Sequence, residues 1–372
     1  MTKTILNKAM RRCIITITDN VAPTSMPYNE FVLYRMANYS EEKQVVLLLF
    51  KDKVNNGISI PPHLELKCIG MSVTKLRRAV EEIVAENKNV IFHIHEAKSA
   101  VLFDIATHGK YRDKVVYTIH STYKNYPWRN RLLCRMASLR AKRVVCVSQA
   151  SYRHYPDTMK NRLKGGVCYI QNGVDTDRIL SVRQSLSNVA KHPQFTAVYA
   201  ARYVKLKKHT FLLNVLKEMP SVRLNLIGSG PLENELKRQA IALNIHNRVS
   251  FLGALPRDEV YKELMRCHMF LSTSSYEGLP VAVLEAMSCG LPCLVSDIEQ
   301  HREIREACLS LLVVPMDISE WKKEIVAISA EESLRVIGKL NQESVGRNFS
   351  LNKMHAAYDS VYSSCEAQAK AD

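Results

Sequence analysis

Two doubly wound α/β domains are what this sequence predicts, on three observations. Short apolar, β-branched runs alternate with segments of helical period, the pattern of a parallel sheet covered by helices on both faces. The alternation breaks at Asn172-Gly173 and a polar stretch over 177–193, then restarts. A length of 372 residues suits two cores better than one. The expected division is a first domain over 1–178, a second over 179–348, and a C-terminal helix and tail over 349–372.

In the first domain, strands are expected at 13–18, 45–50, 90–95, 115–120, 144–148 and 168–171, with helices at 31–39, 75–87, 97–108 and 131–141. In the second, strands are expected at 196–200, 224–227, 249–252, 269–272 and 293–296, with helices at 211–218, 232–244 and 258–266. A last helical segment, 351–367, sets Met354, Tyr358, Val361 and Tyr362 on one face.

The densest chemical signal lies between 275 and 292. Glu277 and Glu285 stand eight positions apart, with turn-forming Gly278 after the first and a helix expected from Pro280. Gly290 and Pro292 mark that helix's end. Such a loop follows the carboxyl end of a strand, where open α/β sheets bind ligands. Two solvated surface carboxylates are the plainer reading of the spacing alone.

The residues between them change that balance. Glu277-Gly278-Leu279-Pro280, Leu284-Glu285-Ala286-Met287 and Gly290-Leu291-Pro292 resemble the glutamate-x7-glutamate signature of glycosyltransferase family 4. The resemblance implies a GT-B fold: two Rossmann-like domains facing a cleft, with the C-terminal helix crossing back to the first. It also implies a retaining, metal-independent transferase that takes a sugar from a UDP- or GDP-linked donor and needs no cofactor. Arg202 and Lys207 have the spacing of the family's diphosphate-binding pair, although Ala201 stands where a Gly is usual. Gly228 and Gly230 resemble its turn near the nucleotide. Glu277 would orient the sugar, Gly278 and Leu279 would also bind the donor, and Glu285 would hold the ribose. His120 would meet the sugar from the first domain.

Other residues are less specific. His93 and His95 share one strand face and read as structural or acceptor-side. Ser148 resembles a serine at the end of a family strand. Asp175-Thr176-Asp177 spells a metal–diphosphate motif of a different fold, but lies in the linker. Glu303 either meets ligand or caps a helix. The first loop, 18–27, has no glycine where the family has a Gly-rich turn, so Asn20, Thr24 or Ser25 would have to donate hydrogen bonds there.

Charge and composition narrow the setting. Net charge is +16, and residues 1–178 carry 29 Lys+Arg against 15 Asp+Glu. A basic half suits an anionic membrane surface or acceptor, and no nucleic-acid module accompanies it. The segment 128–143 joins Trp128 to six cations, with Leu132, Leu133, Met136 and Leu139 expected to face inward. The ten cysteines form no C-x-x-C pair, indicating neither a disulfide frame nor a zinc site. No signal or membrane-spanning segment is evident, and the expectation is a cytoplasmic protein, peripheral on the inner membrane face. The implied setting is bacterial exopolysaccharide or lipopolysaccharide assembly on a lipid-linked acceptor. The alternative is a catalytically impaired partner that binds nucleotide sugar within an assembly complex.

Overall fold

The computed structural model describes residues 12–19, 27–39, 42–50, 64–163, 166–186 and 190–366. It divides into two compact units, one of residues 1–171 with 354–372, the other of 172–353. Each is an α/β unit with a parallel sheet.

In the first unit the described strands are β1 (Cys13–Thr18), β2 (Lys43–Leu48), β3 (Glu65–Cys68), β4 (Val90–Ile94), β5 (Val115–Ile119), β6 (Arg143–Cys146) and β7 (Val167–Tyr169). They run in the order β3-β2-β1-β4-β5-β6-β7, so the winding reverses between β1 and β4. The central strands are buried along their length, as near-continuous runs of Ile, Val and Leu require when helices cover both faces.

The C-terminal helix Leu351–Glu366 places Met354, His355, Tyr358 and Tyr362 in buried positions, and from residue 354 onward it belongs to this first unit. Arg35, wholly buried, donates to both oxygens of Glu42 at 2.7 and 2.6 Å, pairs with Asp359, and lies 4.2 Å over the Tyr39 ring. The helix is thus fastened by a charge network as well as by aromatic packing.

In the second unit the described strands are β8 (Thr196–Ala200), β9 (Arg223–Ile227), β10 (Val249–Gly253), β11 (Met269–Ser272), β12 (Cys293–Ser296) and β13 (Leu312–Val314), in the order β10-β9-β8-β11-β12-β13. Here the winding reverses between β8 and β11, and the loops after those two strands lie side by side.

Several expectations need correction. β3 and β13 are edge strands of four and three residues without a fully buried run, and carry too little apolar signal to be recognised. The polar stretch after residue 176 is not a bare linker: Thr176–Ser185 is a helix, capped by the Asp175 carboxylate and buried through Ile179 and Val182. Along the chain the two compact units meet after Gln171 and after Lys353. The helix after the acidic loop starts at Val281, with Pro280 as its N-cap.

The helix Trp128–Ser138 turns its arginines outward as expected but buries its large apolar residues only in part: Leu133 and Met136 are half-buried. Its buried residues are the small ones, Cys134, Ala137 and Ser138. Trp128 is 65% exposed and Leu132 53%, beside exposed Arg129, Arg131 and Arg135. Among the described residues no helix is long and apolar enough to cross a membrane.

Candidate active site

The loop after β8 carries Arg202 and Lys207; the loop after β11 carries Glu277. Their neighbouring strands would not by themselves bring the side chains together. Between 205 and 208 the chain makes a tight 3-10 turn that ends with Lys208 in the left-handed region, φ 51°. The strand end 273–275 holds that turn. Thr273 Oγ1 donates to the Lys207 carbonyl at 2.8 Å, and the Ser275 N–H donates to the Leu206 carbonyl at 2.8 Å. The buried Tyr199 hydroxyl reaches both Ser274 Oγ, 3.0 Å away, and the Lys207 carbonyl.

The result is an ion pair between Lys207 Nζ and Glu277 Oε1, with only 20% and 14% of the two side chains exposed. Burial opposes charge on Lys207, but the Glu277 carboxylate together with the Tyr199 hydroxyl outweighs it, and the pKa lies above the ordinary lysine value. Arg202 is exposed at the start of the same loop.

The glycine turn after β9 sets Arg202 in place. Gly228 has φ 138°, and a Cβ there would lie 2.2 Å from the Ala201 carbonyl oxygen. At Gly230 a Cβ would meet the Tyr203 carbonyl at 2.6 Å. Both glycines therefore allow the 201–203 backbone to lie directly against the turn, where the Tyr203 N–H donates to the Ser229 carbonyl at 3.0 Å. Leu279 is buried in the core of this unit, so its side chain packs while the adjoining Gly278 remains half-buried.

Glu285 is placed differently from Glu277. It is 5% exposed on the helix Val281–Ser288, and its Oε1 takes bonds from Arg257 Nη1 and from the Tyr261 hydroxyl, the latter at 3.1 Å. Glu303 is also buried, on the helix Glu299–Ala307. On that helix the sequence reading passed over His301. This side chain is fully buried, donates from Nδ1 to the Ser296 carbonyl at 2.6 Å, and interacts electrostatically with Glu277 and Lys207. Burial holds its pKa down to about 4, so it is neutral.

In the first unit His120 follows β5 and His95 follows β4. His95 Nδ1 and His120 Nε2 are 3.0 Å apart and share a hydrogen bond, while His93 bonds Thr118 Oγ1 at 2.8 Å and the Tyr362 hydroxyl at 2.7 Å. His93 and His95 do lie on one strand face, with ring centroids 4.1 Å apart. Desolvation lowers the pKa of His120 to about 4, so it is a neutral hydrogen-bonding group at physiological pH. Ser148 is not an open hydroxyl. It is fully buried, accepts the Ser151 N–H as the N-cap of the helix Gln149–Arg153, and donates to Ser151 Oγ at 2.8 Å. Asn20, Thr24 and Ser25 lie outside the described residues.

One further cluster has no sequence signature. Ligating atoms of His192, Glu263 and Cys267 lie within 4.8 Å of one another. Glu263 Oε1 already accepts from His192 Nε2 at 2.8 Å, Asn225 Nδ2 at 2.6 Å and the Cys267 thiol at 3.4 Å. Burial and the adjacent carboxylate push the Cys267 thiol far above its usual range, so it acts as a donor within a filled hydrogen-bond network. Asp175, the first member of the D-x-D triplet, is occupied as a helix cap.

Comparison with known proteins gives two adjoining family matches: the Glycosyltransferase Family 4 model over residues 31–178 and the Glycosyl transferases group 1 model over 183–342. The chain is 30% identical over 278 residues to one subunit of the phosphatidylinositol N-acetylglucosaminyltransferase of Arabidopsis thaliana, covering 72% of this chain and 59% of that one. It is 24% identical over 304 residues to the UDP-Gal:alpha-D-GlcNAc-diphosphoundecaprenol alpha-1,3-galactosyltransferase of Escherichia coli, 73% of this chain and 74% of that one. In structure it is similar to Anabaena HepE, solved with UDP and glucose, at a TM-score of 0.76 and 20% identity over 95% of this chain and all of the other.

Proposed function

The chain belongs to glycosyltransferase family 4 and has the GT-B fold, and from that membership we propose a retaining, metal-independent hexosyl- or N-acetylhexosaminyltransferase that uses a UDP- or GDP-linked sugar. One observation carries this reading: Lys207 and Glu277, from two strands that flank the reversal of winding, are held as a half-buried pair beside exposed Arg202. Arg202 and Lys207 would take the diphosphate charge that grows as the sugar departs, the work a metal does elsewhere. Glu277 would orient the sugar, and Glu285 would accept from the ribose. His120, neutral, would offer a hydrogen bond to the sugar rather than a positive charge. The acceptor hydroxyl would attack on the face the diphosphate leaves, with no further cofactor.

The acceptor in this reading is a lipid-linked or surface-polysaccharide intermediate in bacterial polysaccharide assembly. The lipid-linked substrate named for the Escherichia coli relative supports it. The protein would act in the cytoplasm, peripheral on the inner face of the membrane. Its footing there would be the helix Trp128–Ser138, whose Trp128, Leu132 and arginines face outward. A thermal-shift series with UDP, GDP and their sugars tests the donor. One nucleotide series should raise the unfolding temperature, since a ligand that binds only the native state stabilises it. Binding without transfer to any lipid-linked acceptor would favour the impaired-partner alternative.

A further inference from the structure

We propose that Arg257 and Tyr261 are positioning residues that aim Glu285 at the ribose hydroxyls of the nucleotide. The inference rests on the donor-site reading above and goes beyond it to name what sets the carboxylate's orientation. Both residues lie on the helix Arg257–Arg266, four positions apart and therefore on one face. Arg257 is 6% exposed and Tyr261 fully buried. Both donate to the same oxygen, Oε1 of Glu285. A carboxylate in water rotates freely and its two oxygens are equivalent. Here the clamp on Oε1 removes that freedom, and the proposal assigns the diol to Oε2.

A buried ion pair alone adds little net stability over an apolar contact. What the arrangement supplies is direction, and ribose recognition depends on direction because both neighbouring hydroxyls must be met by one carboxylate.

The test compares binding of UDP and GDP with their 2′,3′-dideoxy forms by calorimetry, in the wild-type chain and in Tyr261→Phe, Arg257→Lys and Glu285→Gln. The wild type should prefer the ribose form of the bound nucleotide by roughly tenfold or more, and Glu285→Gln should lose that preference. Tyr261→Phe and Arg257→Lys should cut it to about threefold or less, in proteins that retain their circular dichroism. A merely structural role predicts lower unfolding temperatures with the ratio unchanged. If Glu285→Gln loses the preference while both helix variants keep it, the positioning role is overturned and the ribose site stands. If the wild type binds nucleotide without preferring ribose, the inference falls but the donor site survives. If neither nucleotide binds, the donor-site reading itself falls and takes the inference with it.

Discussion

Acidification from pH 7.5 to 5.5 should destabilise this protein through its buried histidines, and by different amounts in its two units. A histidine in the unfolded chain, with a pKa of about 6.5, goes from mostly neutral to mostly protonated over that interval. His209 and His301 in the second unit are 2% and 0% exposed, and burial holds both near a pKa of about 4, so in the folded chain they stay neutral. The unfolded state therefore binds more protons than the native state throughout the interval. The contribution is complete above pH 6.5 and is lost as the pH falls toward 4. Each such histidine costs about 1.4 kcal/mol between pH 7.5 and 5.5, or roughly 2.7 kcal/mol for the pair. In the first unit burial lowers His120 to about 4 and His355 to about 3, and it also holds His93 and His95 well below the ordinary histidine value. His120 and His355 together give about 2.7 kcal/mol, and His93 and His95 add to the loss in the same direction.

The two tryptophans divide conveniently for the assay: Trp321 is fully buried in the second unit, and Trp128 belongs to the first. In a Trp128→Phe background, urea titrations followed by Trp321 fluorescence report the second unit, and circular dichroism reports both. The second unit should lose roughly 2.7 kcal/mol on acidification and the first more. His301→Phe should shrink the second unit's loss by about 1.4 kcal/mol. Superimposable curves at the two pH values would refute the reasoning, because they would mean these imidazoles bind protons equally in both states.

Three further outcomes are expected. Glu277→Gln removes the carboxylate that offsets burial of Lys207, so the alkaline limb of kcat/KM should move to lower pH, and kcat should fall by about 10²–10³-fold; an unmoved limb would show that Lys207 is not held by that pair. Gly228→Ala would drive a methyl against the Ala201 carbonyl 2.2 Å away, lowering stability by ~3 kcal/mol in urea titration, whereas Gly253→Ala, strained by its φ of 71° but in open space, should cost less. Replacing Trp128 and Leu132 together by serine should weaken sedimentation with phosphatidylglycerol vesicles by about tenfold or more without altering donor binding, and unchanged sedimentation would remove that helix from the membrane-facing role.

How much could be read from the chain depended on whether the signal was local. The alternating pattern announced two parallel sheets because buried strands and their covering helices each leave a period in the sequence. Glu277, Arg202 and Lys207 stand within short local motifs, which is why a family resemblance could single them out. What pairs with them was not. Arg257 meets Glu285 across 28 positions, and His301 enters the neighbourhood of Lys207 only because β12 lies beside β11. No periodicity encodes those meetings; strand order does. The helix Trp128–Ser138 misled for a different reason. Its large apolar residues share a plausible face, but close packing on the unit is made by Cys134, Ala137 and Ser138, whose small side chains allow near approach and carry little hydropathic weight. Ser148 shows a second limit: a serine at a strand end and a serine at an N-cap are the same residue when a helix follows at once.

The pairing of Lys207 with Glu277 bears on how such a site waits for substrate. A lysine this buried and without a counter-charge would tend to lose its proton, and would then offer a diphosphate only a weak neutral donor. Glu277 prevents that by keeping the ammonium charged, while the turn held by Thr273 and Ser275 fixes where it sits. The pair also limits its own strength: an incoming diphosphate competes with Glu277 for the same ammonium. A donor that brings both a diphosphate for Lys207 and sugar hydroxyls for the released carboxylate satisfies both partners at once, whereas a bare phosphate satisfies only one. Within this reading the ion pair therefore favours the whole nucleotide sugar over its fragments. Arg202, exposed on the backbone that Gly228 and Gly230 support and close enough to act electrostatically on Lys207, supplies the attraction that Lys207 alone, already paired, would lack.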